Sequence, residues 1–163
     1  MNEVKDRVYK LFDKLKIEYT VMNHRAIFSE NDSDGIEEKC EGTICKNLFL
    51  KEKGGTKFYL VSLPLHKRAD IKKLEKELNI KKLTFGNEEE LFEKLNIRSG
   101  SVSILNMIEA PNTDVYFIID QELLNHDKVC FHPNDNTSSI SFKSKELVKI
   151  LDYFSVKYDF FRI

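Results

Sequence analysis

What this sequence has little of narrows the possibilities first. Three prolines and six glycines in 163 residues exclude long flexible linkers and Gly- or Pro-rich low-complexity tracts. Three cysteines, Cys40, Cys45 and Cys130, are an odd number with no CxxC pair. That argues against a disulfide framework and for reduced thiols that behave as small buried hydrophobes. No second close pair follows Cys40 and Cys45, so no metal site is expected, even with His24, His66, His126 and His132 in view. The longest apolar runs, such as Val115 to Ile119, fall far short of the roughly 20 residues of a membrane span. Residues Met1 to Asp6 lack the apolar core of a secretory signal, so the cytoplasm is the expected location and no membrane partner is expected.

Charge of one sign is also missing. Lys and Arg number 26 against 27 Asp and Glu, a net charge of -1, which excludes a uniformly basic nucleic-acid binder; no DNA partner is expected. A local basic face remains open, with Lys67, Arg68, Lys72, Lys73, Lys81 and Lys82 as candidates, although a solvated lysine-rich surface is the plainer reading. The motifs GxGxxG, P-loop, GxSxG and HExxH are absent, so the enzyme classes most easily read from sequence find no support and no cofactor is expected.

What is present is a packed domain with a charged exterior: 41% hydrophobic and 33% charged residues, with no shift in composition to mark a boundary, so residues 1–163 read as one domain. Val4, Val8, Leu11, Phe12 and Leu15 recur at helical spacing over residues 3–16. Strand character follows from Glu18 to Asn23, and Ser29 can cap a helix through about Lys39. Gly42 to Leu50 and Lys57 to Leu63 flank the turn signal Lys53-Gly54-Gly55-Thr56, the clearest hairpin in the chain. Ala69 to Leu78 and Asn87 to Leu95 read as helices, the second capped by Asn87. Ser101 to Asn106, Val115 to Asp120, Lys128 to Phe131 and Ser138 to Phe142 read as strands, followed by a helix through Phe154 and an aromatic tail, Tyr158 to Phe161. Strands outnumber helices without βαβ alternation, which predicts an α+β fold: a central curved mixed or antiparallel sheet flanked by helices.

Two polar clusters could carry chemistry. In Thr43-Ile44-Cys45-Lys46-Asn47-Leu48-Phe49-Leu50, alternation puts Lys46 on the face of Leu48 and Leu50. A lysine there is either an edge gatekeeper, which pattern alone favours, or a charge aimed into a cleft. In Phe131-His132-Pro133-Asn134-Asp135-Asn136-Thr137 a single imidazole sits in a turn whose Asn, Asp and Pro need no function to explain them.

The two clusters, with Lys57-Phe58-Tyr59-Leu60-Val61 and Gly100-Ser101-Val102-Ser103 between them, follow an order that resembles the YbaK/prolyl-tRNA synthetase-associated domain family, in particular its ProX-like branch of free-standing editing proteins. The resemblance covers roughly residues 5 to 155. It implies an aminoacyl-tRNA deacylase that hydrolyses the ester of a mischarged tRNA, most typically Ala-tRNA(Pro), on an α+β editing fold. By the same resemblance Lys46 matches the essential lysine, Asn47 its polar neighbour, Gly100 the glycine of a G-x-x-x-P loop, and His132 the later histidine, with Asn136 and Thr137 as its N-T pair. Ile44, Ser101 and Ile104 are candidate substrate contacts, with Met107 a further guess. Where the loop's proline is expected this chain has Ile104, which implies a less rigid loop. The implied partner is the acceptor end of tRNA(Pro), with prolyl-tRNA synthetase or an elongation factor as possible further partners. Two rivals stay open: a module that senses aminoacyl-tRNA without turnover, and a structural partner of a synthetase.

Overall fold

The structure is a computed structural model that describes residues 3–25, 40–135 and 137–163. The helix expected over residues 29–39 lies outside the described residues. Among these, eight strands form one mixed sheet: β1 (Tyr19–Asn23), β2 (Thr43–Glu52), β3 (Phe58–Pro64), β4 (Leu83–Phe85), β5 (Tyr116–Asp120), β6 (Lys128–Phe131), β7 (Ser138–Lys143) and β8 (Tyr158–Phe161). Their order is β1-β7-β6-β2-β3-β5-β8, with β4 also on β2. Four helices, α1 (Glu3–Lys14), α2 (Ile71–Leu78), α3 (Glu88–Leu95) and α4 (Leu147–Phe154), complete it. The α+β mixed-sheet architecture expected from the sequence is observed, and no helix is long and apolar enough to cross a membrane among the described residues.

The period-2 pattern of β2 and β3 sorts the core. Phe49 and Leu60 point to one face, where they join Val8 and Phe12 of α1, Leu91 and Leu95 of α3, and Leu147, Ile150 and Leu151 of α4. Phe12 meets Phe142 edge to face at 5.0 Å, a geometry that contributes about 1 kcal/mol beyond the area buried. Leu50, Val61 and Leu63 point to the other face, against Leu74 of α2. Helix α3 begins as its sequence dictates: the Asn87 side chain accepts from Glu90 N and the Glu90 carboxylate accepts from Asn87 N.

Two local expectations need correction. Residues 101–106 do not form a strand. Ser103 caps a 3-10 turn, Ile104–Ile108, accepting from Leu105 N while Asn106 Oδ1 accepts from Ser103 N at 2.7 Å. The alternation of Val102 and Ile104 imitates a strand, but the reciprocal side-chain bonds of Ser103 and Asn106 satisfy the backbone locally and start a turn. Strand β4 has no counterpart in the sequence pattern, because three residues are too few for a periodic signal.

Candidate active site

Strand β2 holds the two halves of the sheet together, and its middle is where they part. On one edge it pairs with β3 throughout, from Cys45 opposite Pro64 to Lys51 opposite Phe58. On the other edge it pairs with β6 only at Thr43 and Ile44, opposite Val129 and Cys130, and then with β4 from Leu50 to Glu52. Among the described residues, the edge of β2 around Lys46 is thus unpaired between β6 and β4. Lys46 is an interior position of the sheet, at an opening between two partner strands, rather than on an outer edge strand. An outer-edge gatekeeper therefore does not describe Lys46, which stands at an opening within the sheet.

The parallel register carries a second consequence. Ile44 lies opposite Cys130, so two residues further along both strands Lys46 comes level with His132, just past the end of β6. Alternation gives both the same face of the sheet. That face carries Cys130 and Ile44, Ser139 and Ser141 of β7, and Thr20 and Met22 of β1, which lie opposite Ser141 and Ser139. Polar residues therefore occupy here the face that α2 covers with apolar contacts further along the same sheet.

The histidines are fixed on this face. His132 Nδ1 lies 3.0 Å from Ser138 O; a carbonyl can only accept, so Nδ1 carries the proton and donates, and Nε2 keeps its lone pair. Burial pushes the imidazole pKa below its ordinary value and the nearby His24 ring lowers it further, while the Ser138 carbonyl and Asp135 oppose the shift. His24 packs against it with ring centroids 6.1 Å apart. His24 Nδ1 donates to Arg25 O at 2.7 Å, and its Nε2 lies 2.8 Å from Ser139 Oγ. Sequence reasoning misses His24, which carries no motif; only its register opposite the β7 serines reveals it.

The loop of Gly100 is tied to the loop of His132 by a pair of buried amides. Asn106 Nδ2 donates to Asn134 Oδ1 at 2.7 Å and to Ser101 O at 3.1 Å, while Asn134 Nδ2 donates to Leu105 O at 3.1 Å. Neither amide is exposed to solvent by more than 4%. Removing either would strand its partner without water, at a cost of about 1–3 kcal/mol. Gly100 has φ +89°, a left-handed conformation that other residues rarely adopt. Asn106, another residue that no sequence motif marks, ties down the loop in which Ile104 stands where a proline is expected. From the other side Lys5 of α1 donates to Thr137 Oγ1 and Ser138 Oγ at 3.1 and 2.9 Å and pairs with Asp135 at 3.6 Å. Helix α1 thereby holds the far end of the His132 loop.

Not every candidate gathers here. Asn47 is on the opposite face of β2 from Lys46, where its Oδ1 accepts from the buried Ser62 hydroxyl at 2.6 Å, so it acts in packing two strands. Ile104 and Met107, 1% and 0% exposed, belong to the main core, which leaves them as packing rather than pocket walls. Ile44 is half-buried on the Lys46 face and Ser101 is half-buried beside Gly100. Thr137 has its hydroxyl bound to Lys5 and Asp135. Asn136 lies outside the described residues. The Cys45 and Cys130 thiols are held well above their ordinary pKa, Cys45 chiefly by burial and Cys130 by its contact with Cys40 and by burial, so neither is poised as a nucleophile.

Fold and face together define a class: an α+β protein whose mixed sheet opens at a lysine, beside a strand that leads to a buried histidine. A model of the aminoacyl-tRNA editing domain family matches residues 37–150, and the chain belongs to that family. The prolyl-tRNA editing protein ProX of Acetoanaerobium sticklandii is 30% identical over 149 residues, 91% of each chain. Prolyl-tRNA synthetase associated domain-containing protein 1 of Mus musculus is 26% identical over 151 residues, 90% of this chain and 89% of the relative. The crystal structure of a candidate trans-editing enzyme for prolyl-tRNA synthetase superposes with a TM-score of 0.71 over 100% of this chain and 99% of its own, at 19% identity, and so shares the fold.

Proposed function

We propose that this protein edits prolyl-tRNA in trans, hydrolysing the ester that links a wrong amino acid, alanine, to tRNA(Pro). The observation that carries this reading is the parallel pairing of Ile44 with Cys130, two residues before Lys46 on β2 and two before His132 after β6, where the strands part. A relative named as a prolyl-tRNA editing protein supports editing of prolyl-tRNA, and the choice of alanine rests on the family resemblance.

An aminoacyl ester is already activated, so water must be positioned and the developing oxyanion stabilised. Lys46 forms no ion pair among the described residues, and its ammonium supplies positive charge for a carbonyl or phosphate oxygen. Backbone groups around Gly100 orient the same ester. His132 accepts, through Nε2, a hydrogen bond from the attacking water or from a ribose hydroxyl. Its depressed pKa keeps it neutral and makes it a weak base, which favours positioning over proton abstraction. Water's oxygen bonds to the carbonyl carbon, the acyl–oxygen bond breaks, and the proton ends on the ribose oxygen, giving free amino acid and uncharged tRNA. Rejection of proline rests on size, since a pocket closed around alanine excludes the larger ring by clash. The setting for this reaction is the cytoplasm.

The test is release of labelled amino acid from Ala-tRNA(Pro) and Pro-tRNA(Pro). Rapid release of alanine with proline retained supports the proposal. Release of neither by folded protein overturns it and leaves a sensing module in its place.

A further inference from the structure

The basic residues of this chain are unevenly spent. Elsewhere in the described residues several are tied to carboxylates, Lys5 to Asp135, Arg7 to Glu109, Lys51 to Glu90, Lys94 to Asp114, Lys128 to Glu41 and Lys149 to Glu146, while others, Lys53 and Lys57 among them, form no ion pair there. Between residues 67 and 82 seven basic residues face three acidic ones, in a chain of net charge -1. Lys67 is taken by the buried Asp120 at 2.8 Å. Arg68, Lys72, Lys73, Lys76, Lys81 and Lys82 are all exposed, and none forms an ion pair among the described residues. Two of the three acids in the segment are turned to backbone: Asp70 caps α2 by accepting from Lys73 N, and Glu75 accepts from Leu83 N. An ordinary solvated helix face mixes its charges, and this one has been left positive.

Its place in the fold gives it direction. Helix α2 packs through Leu74 on the face of the sheet formed by Leu48, Leu50 and Leu63, which is the face of Lys46. The segment begins beside Lys46, where Leu65 N donates to Ile44 O. It ends at the far end of β2, where Lys53 N donates to Lys82 O and Leu83 lies opposite Glu52. The positive track therefore follows β2 from Lys46 to Glu52, about 20 Å at ~3.3 Å per residue.

We propose that this track binds the phosphate backbone of the substrate RNA's acceptor end, leading away from the terminal nucleotide held at Lys46. The inference rests on the deacylase reading above for the position of that nucleotide. Compact, strongly hydrated ammonium groups on flexible stems suit phosphates without reading sequence. The tRNA contact is then one continuous surface rather than scattered lysines.

The test uses the full chain carrying Lys72→Glu, Lys73→Glu and Lys76→Glu, all exposed and outside the reacting centre. Against Ala-tRNA(Pro) the variant is expected to lose at least about tenfold in kcat/KM, carried by KM. Against 3′-O-alanyl-adenosine, which has no backbone phosphates, its rate is expected to equal wild type. Binding of uncharged tRNA, followed by fluorescence anisotropy, reads the surface independently of turnover. Wild-type affinity should fall with salt, and the variant's logarithmic salt slope should be shallower by about two, at roughly 0.7 per lost phosphate contact. Equal affinity and equal salt slope in the two proteins would overturn the track. Absence of turnover in wild type with the binding difference intact would overturn only the deacylase reading.

Discussion

The two ends of the sheet are built from the same strand chemistry but spend their second face differently. In β3 and β5 both faces are apolar: Leu60 and Phe117 look toward α1, α3 and α4, while Val61 and Ile118 look toward α2. In β6 and β7 the first face is equally apolar, with Val129, Phe131, Ile140 and Phe142, but the second carries Cys130, Ser139 and Ser141 and leads to His24 and His132. Stability concentrates where both faces are filled. Where one face is given to hydroxyls and imidazoles, it leads to the parting of the sheet beside Lys46, where the proposed chemistry would sit.

That contrast can be broken from either side. The largest effect expected on folding is at Leu60, fully buried in the doubly apolar half. Leu60→Ala should cost about 2–5 kcal/mol in a denaturant titration, with the rate per folded molecule nearly unchanged. Next comes Asn134→Ala, which removes a bond to Leu105 O and strands the Asn106 amide. A loss of about 1–3 kcal/mol is expected, together with a lower kcat as the Gly100 and His132 loops lose register. Leu60 and Asn134 thus separate an effect on stability alone from one on both stability and rate. Smaller still, Ser62→Ala leaves Asn47 without its hydroxyl donor and should cost about 1 kcal/mol with no change in KM, because Asn47 lies on the face away from Lys46.

The mildest test is pH. The folded pKa of His132 is depressed below the unfolded value of about 6.5, so the unfolded state binds its proton first. Its contribution to stability is therefore fully present above pH ~6.5 and is lost as pH falls from there toward the folded pKa. The acid limb of kcat/KM, which needs neutral His132, should likewise lie below pH ~6.5. A limb at or above that pH would show that another group controls the reaction.

Much of the fold is legible in the sequence because local signals agree. Asn87 with Glu90 announces α3, Gly54-Gly55 announces the β2–β3 hairpin, and the alternation of β2 by itself places Lys46 on the face of Leu48. Residues 101–106 mislead because two apolar residues at alternate positions look like a strand, whereas Ser103 and Asn106 close a turn on each other. The site is only half legible. Motif order names Lys46, Gly100 and His132, but their relation depends on a parallel pairing of β2 with β6, whose paired residues lie 86 positions apart in sequence, which no local pattern encodes. His24, Asn106 and Asn134 are bound into the site by partners distant along the chain, and such bonds leave no periodic trace.

The most direct test of the central claim is release of alanine from Ala-tRNA(Pro) by Lys46→Ala protein, with its thermal melt measured alongside. Loss of a charge from the opening of the sheet, unpaired among the described residues, should cost at least about 100-fold in kcat while the melting temperature stays at the wild-type value. A folded Lys46→Ala protein that releases alanine at the wild-type rate would contradict the account.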